Sequence, residues 1–137
     1  MKIIEEVVAE YLSTNNLGVY SSKTSKGNIY INNMPQTAPM ANNFYISIIK
    51  TGGMKQVLQA AGGGYRPIIT IYVKGLNFIN TQNKINEITD FLKEKTWETD
   101  EYIIEQSYPV TDTLRLTQDE NQAFLFDVNF LICINKK

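Results

Sequence analysis

"AFLFDVNFLICIN", residues 123–135, puts Phe124, Phe126, Val128, Phe130, Ile132 and Ile134 on one parity and Asp127 and Asn129 on the other. Side chains of a strand alternate between its two faces, so this pattern predicts a long strand with one face on a core. The Phe-rich parity must face helices. A second decisive run is "RPIITIYVK", Arg66 to Lys74, where Ile68, Ile69, Ile71, Tyr72 and Val73 occupy both parities. Its β-branched content and two-sided apolarity predict a central strand, with Pro67 tolerated only at its start.

Outward from these, "FYISIIK" (Phe44 to Lys50) and the shorter "NIYIN" (Asn28 to Asn32) read as strands. Between them Pro35 and Pro39 lack backbone donors, which predicts an ordered, exposed loop outside any ladder. "EYIIEQSY" and "DTLRLTQ" flank Pro109 and complete the strands. Ile3, Ile4, Val7, Val8, Tyr11 and Leu12 recur at three- and four-residue steps and predict an amphipathic helix, with Gly18 in "STNNLG" as its left-handed stop. A second helix is expected to begin near Asn80 or Thr81, either able to cap it, and to bury Ile85, Ile88, Phe91 and Leu92. The fold class is α+β: a two-layer domain in which two helices lie on one face of a mainly antiparallel sheet of five or six strands. A single domain spanning residues 1–137 is expected, large enough to bury about 70% of its unfolded surface.

The charge is segregated along the chain. No acid lies between Tyr11 and Asn86, where Lys23, Lys26, Lys50, Lys55, Arg66, Lys74 and Lys84 fall; residues 87–127 hold eleven acids against three bases, a net −8. Two readings are open: the fold interleaves the segments and averages the field, or it presents one positive and one negative face and favours head-to-tail self-association. A pI of about 5.4 with sparse bases gives little support to a nucleic-acid binder. The acid-interrupted start "MKIIEEVVAEYL" offers neither a signal peptide nor a membrane span, so a soluble chain is expected. The one cysteine, Cys133, reads as a buried small hydrophobe in a reducing, intracellular setting.

Catalytic chemistry is poorly provided for. The chain has no histidine, and one cysteine excludes thiolate metal sites. Neither Gly-rich stretch, "KTGGMKQV" or "AAGGGYRP", has the Gly-Lys-Ser/Thr ending or the following helix of a phosphate loop. No cofactor is expected. The alternative reading is a small metal-dependent hydrolase or ligand-binding domain using the acidic turn residues Asp112, Asp119 and Glu120 on magnesium.

The remaining puzzle is the insert between two strands, a long loop at 51–66. Hairpin loops usually run two to five residues, and much longer ones are commonly functional or disordered. Thr51, Gly52, Gly53, Met54, Lys55, Val57, Leu58 and Arg66 are the candidate assembly surface, since the apolar members are too few for a core helix and awkward in water. Lys55 and Arg66 are alternatively candidates for a DNA-facing lumen.

The run "YINNMPQTAPMANNFYISIIKTGG", then "YRPIITIYVKG", then a helix such as "NKINEITDFL" resembles the tail-terminator (tail-completion, minor capsid) proteins of tailed bacteriophages and phage-tail-like particles. The spacing of Pro35 and Pro39, the strand ending at Thr51-Gly52-Gly53, the Arg66-Pro67 start and the close at Lys74-Gly75 carry the resemblance. The chain departs from that pattern in having Met40-Ala41 after the second proline and a longer insert. The resemblance implies a non-enzymatic homo-oligomer, commonly a hexameric ring, that caps the tail tube and stops its polymerisation. Its partners would be the tail tube protein and a head-tail connector or stopper protein, with non-specific passage of DNA and no membrane. Its place would be the virion or a phage-tail-like particle assembled in the host cytoplasm. A chain of this length has a radius of gyration of about 14 Å, so six copies treated as spheres of about 18 Å leave a bore wide enough for duplex DNA.

Overall fold

The computed structural model of the 137-residue chain describes residues 2–21, 27–39, 43–54, 65–116 and 122–137. In chain order the elements are α1 (Ile4–Thr14), β1 (Ile29–Ile31), β2 (Tyr45–Met54), β3 (Arg66–Gly75), α2 (Phe78–Leu92), β4 (Trp97–Glu98), β5 (Tyr102–Pro109), β6 (Leu114–Arg115) and β7 (Phe124–Lys136). The strands form one sheet in the order β1-β2-β3-β7-β5-β4, with β6 also on β7. Among the described residues β1 and β2 pair in parallel and the other strand pairs are antiparallel. The architecture is the expected α+β arrangement, with a curled mixed sheet.

The register explains the core. Ile69, Ile71 and Val73 of β3 stand opposite Phe130, Val128 and Phe126 of β7, and Ile46 and Ile48 of β2 stand opposite Val73 and Ile71. All of these share one face and are buried, as are Ile4, Val7, Val8 and Leu12 of α1 and Ile85, Ile88 and Leu92 of α2. Each such side chain contributes about 1.5–3 kcal/mol on leaving water. Helix α1 packs on β1 and β2, and α2 on β3, β7 and β5. Tyr11 ties the two helices together: its ring stacks on Trp97 at 4.0 Å and 1° and meets Phe91 at 5.4 Å.

Several boundaries differ from expectation for local reasons. The left-handed residue after α1 is Asn16 (φ 64°), not Gly18. Asn16 N–H donates to the Ser13 carbonyl and Leu17 N–H to the Leu12 carbonyl, a paired closure that uses two otherwise orphaned helix carbonyls. Gly18 is instead a packing position, since a Cβ there would lie 2.7 Å from Ile29 Cδ1. Helix α2 starts at Phe78 and is capped by Asn77, whose side chain accepts from Asn80 N–H at 2.9 Å, rather than by Asn80 or Thr81. Strand β4 has two residues and so no periodicity in the sequence, and β6 is shorter than "DTLRLTQ" predicts. Cys133 is only partly buried, because its odd parity places it on the sheet face away from the helices.

The segment with the two prolines is less exposed than expected. Parallel neighbours cannot be joined by a tight turn, and the chain leaving β1 crosses the helix-free back of the sheet before returning as β2. Ser47 Oγ donates to the Asn33 carbonyl at 2.6 Å and Lys74 Nζ to the Pro35 carbonyl at 3.0 Å. Both side chains are buried, as is Pro39.

Gly75 closes β3 where α2 must turn back over the sheet. A Cβ there would collide with Thr81 Oγ1 and lie 2.9 Å from Phe44 Cδ1, whereas a Cβ at Gly52 meets nothing closer than Ile68 Cβ at 4.0 Å. Gly75→Ala is expected to cost about 1–3 kcal/mol in urea unfolding through overpacking, and Gly52→Ala to be nearly neutral in the same assay.

Candidate assembly interface

The hairpin of β2 and β3 carries the residues singled out in the sequence. Thr51, Gly52, Gly53 and Met54 belong to the β2 ladder: Gly52 pairs with Ile68, Gly53 with Pro67 and Met54 with Arg66. The strand therefore does not end at Lys50, and the insert is shorter at both ends than residues 51–66. Lys55, Val57 and Leu58 lie outside the described residues. Arg66 is exposed, in the last pair of the ladder.

The register shifts between Lys50 and Gly52, making Thr51 the extra residue of a bulge. Its hydroxyl lies 2.8 Å from Thr70 Oγ1, and Thr70 donates to Asn129 Oδ1 at 2.6 Å. Since Thr70 has one proton to give, Thr51 is the donor of the first bond. This chain crosses three strands on the back of the sheet, and Thr111 Oγ1 accepts from Asn129 N–H at 2.9 Å at its far side. The bulge is thereby pinned to the middle of the sheet.

On the helix side, the ammonium of Lys50 sits 4.9 Å from the centroid of the Tyr65 ring, and Tyr65 exchanges two backbone hydrogen bonds with Ile134, both 2.9 Å. Beside them opens a cleft of about 450 Å³, lined by Lys2, Ile3, Lys50, Tyr65, Tyr102 and Ile134 among others. Tyr102 donates to the Lys2 carbonyl at 3.1 Å, joining the start of α1 to β5. Burial, followed by the charge of Glu101 and the neighbouring Tyr65, raises the Tyr102 pKa. The hydroxyl keeps its proton near neutrality and remains a donor.

The back of the sheet is neither a polar surface nor a second core. Tyr30, Tyr45, Tyr72 and Tyr108 share it with Ile49, Ile68 and Leu131, all half-buried. Tyrosine and aliphatic residues with few charges are the composition of protein contact surfaces. The strand order also preserves the segregation of charge. Strands β1 to β3, from the acid-free stretch, lie on one side of the sheet, and β5 and β4, from the acidic stretch 87–127, lie on the other, where Glu98 is paired with Lys137. Helix α1 offsets this in part, bringing Glu5, Glu6 and Glu10 to the side of β1 and β2.

Asp112 accepts from the Thr113 amide at 2.9 Å, while Asp119 and Glu120 lie outside the described residues. Among the described residues no group of three carboxylate, thiol or imidazole side chains gathers in one place. No described helix is long and apolar enough to cross a membrane.

No protein-family model and no curated protein sequence matches the chain. Among solved structures, it is similar to a chain of the "Virion of native gene transfer agent (GTA) particle". The TM-score is 0.59 at 13% sequence identity, over 80% of this chain and 79% of that one. The two share a fold.

Asp127 stands on the back face opposite Tyr72, and burial raises its pKa above the ordinary carboxylate value. A raised acid stabilises the fold fully below its unfolded pKa of about 3.9 and loses that contribution as pH rises through the folded value. Asp127→Asn should therefore raise the melting temperature at pH 7 and leave it unchanged below about pH 3.9, as read by thermal scans across that range.

Proposed function

We propose that this chain is a non-enzymatic structural protein of a phage-like particle, acting as the ring that caps the tail tube, stops its polymerisation and presents a surface to the head-side connector. The single observation carrying this reading is the shared fold with a virion chain over four-fifths of both proteins. The resemblance of residues 28–92 to tail terminators refines it from virion component to tail end, and supplies six as the subunit number.

The surfaces suit that role. The long β2–β3 hairpin ends in exposed Thr51, Gly52 and Arg66. The end of this hairpin, backed by β7 through the Tyr65–Ile134 bonds, offers backbone and side chains to a neighbour without exposing the core. We assign residues 51–66 to contacts with an adjacent subunit or the tube end.

The test joins native mass with tube length. The purified chain should form a ring of six, and its addition to polymerising tail tube protein of the same particle should arrest growth at capped ends seen by negative-stain microscopy. Deleting Lys55 to Gly62 should abolish ring formation or capping. If the deletion leaves both unchanged, the arm is not the contact; if the intact chain neither assembles nor caps, the tail-end role falls.

A further inference from the structure

Beyond Ile48 the outer side of β2 has no neighbour among the described residues. Strand β1 covers only Ile46 to Ile48, with Ile46 N–H donating to Asn28 and Ile48 accepting from the Asn32 amide. Six residues, Ile49–Met54, therefore continue the ladder with β3 on one side and present an unpaired edge on the other. The bonds of Ile46 and Ile48 show which residues point outward, and alternation before the bulge sends the N–H and C=O of Lys50 the same way.

Open edges are normally blunted by lysines, bulges or short length. This one has Lys50 and the Thr51 bulge, yet it is not short. Those two features select a partner more than they block one. Lys50 is exposed and lies in a stretch without a single acid, so a second β2 approaching this edge would bring like charge to like. The far side of the same sheet exposes Glu94, Glu98 and Glu105 around β4 and β5, with Glu98 ion-paired to Lys137 at 3.2 Å and Glu105 accepting from the Asn135 amide group. There, among the described residues, the outer side of β5 is covered by the two residues of β4, by the Thr99 amide on the Tyr102 carbonyl and by the Glu94 amide on the Ser107 carbonyl. The β2 edge thus offers an exposed lysine and open backbone groups, and the β5 side exposed glutamates and a partly open strand, two different patches of the kind a head-to-tail contact between identical copies uses.

We infer that the outer edge of β2 from Ile49 to Met54 is a strand-addition site for a second copy of this chain, which docks its glutamate-bearing β4–β5 side so that the sheet continues from one subunit to the next. This contact does not depend on what the assembly caps. It adds to the hairpin arm a specific ladder whose unit is the outward backbone of Lys50. Charge steers the copies and the backbone fixes their register.

The experiment uses the full chain and two substitutions. Lys50→Pro removes the outward amide without taking a bond from the β2–β3 ladder, and proline is tolerated on an edge. Lys50→Ala keeps the amide and removes the charge. Self-association followed by native mass spectrometry and sedimentation should weaken about tenfold or more in Lys50→Pro. Lys50→Ala should associate more weakly than the natural chain, with a reduced dependence on salt. Circular dichroism and melting of the variants separate loss of assembly from loss of fold. Independently of any variant, hydrogen exchange at the Lys50 amide of the natural chain should slow at least about tenfold between dilute monomer and assembly. An assembly whose Lys50 amide exchanges as in the monomer overturns the proposal and leaves the capping role standing. A chain that stays monomeric at every concentration overturns it as well. Protection that appears only when tube protein is added assigns the edge to that partner and overturns the second-copy assignment.

Discussion

The structure depends on a one-sided apolar block at the centre of its sheet. Ile69, Ile71 and Val73 face Phe130, Val128 and Phe126 across the β3–β7 ladder, and this face leaves water only if something covers it. Two helices are the material at hand, and both go there. Because β3 and β7 lie in the middle of the strand order, covering them requires the helices to meet over the centre. The stack of Tyr11 on Trp97 and its contact with Phe91 make that junction. The cost of this solution is borne on the other side, where no helix is left to cover the back of the sheet.

The back is managed by smaller means. The crossover between parallel β1 and β2 runs over part of it, held by Ser47 and Lys74, two polar side chains buried with backbone carbonyls as partners. The chain of Thr51, Thr70 and Asn129 stitches three strands with side-chain hydrogen bonds where an apolar pair would otherwise stand. What remains, a field of tyrosines with Ile49, Ile68 and Leu131, is too apolar for a surface meant only to meet water. Together with the open side of β2, it gives the domain the look of a part shaped for neighbours.

Much of the candidate interface was legible as chemistry before it was legible as geometry. The absence of acids over a long central stretch and their excess later are facts of the sequence, and so is the excess length between the two hairpin strands. The readings that failed share a cause. Gly18 and Asn80 are plausible stop and cap residues by type, but local closure is achieved two and three positions away, by Asn16 and Asn77, where backbone and side-chain geometry fit. Cys133 has the apolar neighbours of a buried residue, and parity places it on the back. Trp97 carries no pattern that would announce a strand, although its ring fixes the junction of the two helices.

By itself the sequence determined the alternation of Phe124 to Ile134, the two-sided apolarity of the Arg66–Lys74 run and the helical spacing of Ile4, Val7, Val8 and Leu12. These are local periodicities, set by how a strand or a helix presents successive side chains to water. The tertiary structure alone decided which strands became neighbours, that β1 would lie parallel to β2 with the prolines crossing the back, and that β2 would outrun its outer partner by six residues. Pairing and crossover join residues far apart in the chain, and the free energy that selects them belongs to the assembled sheet, not to any segment of it.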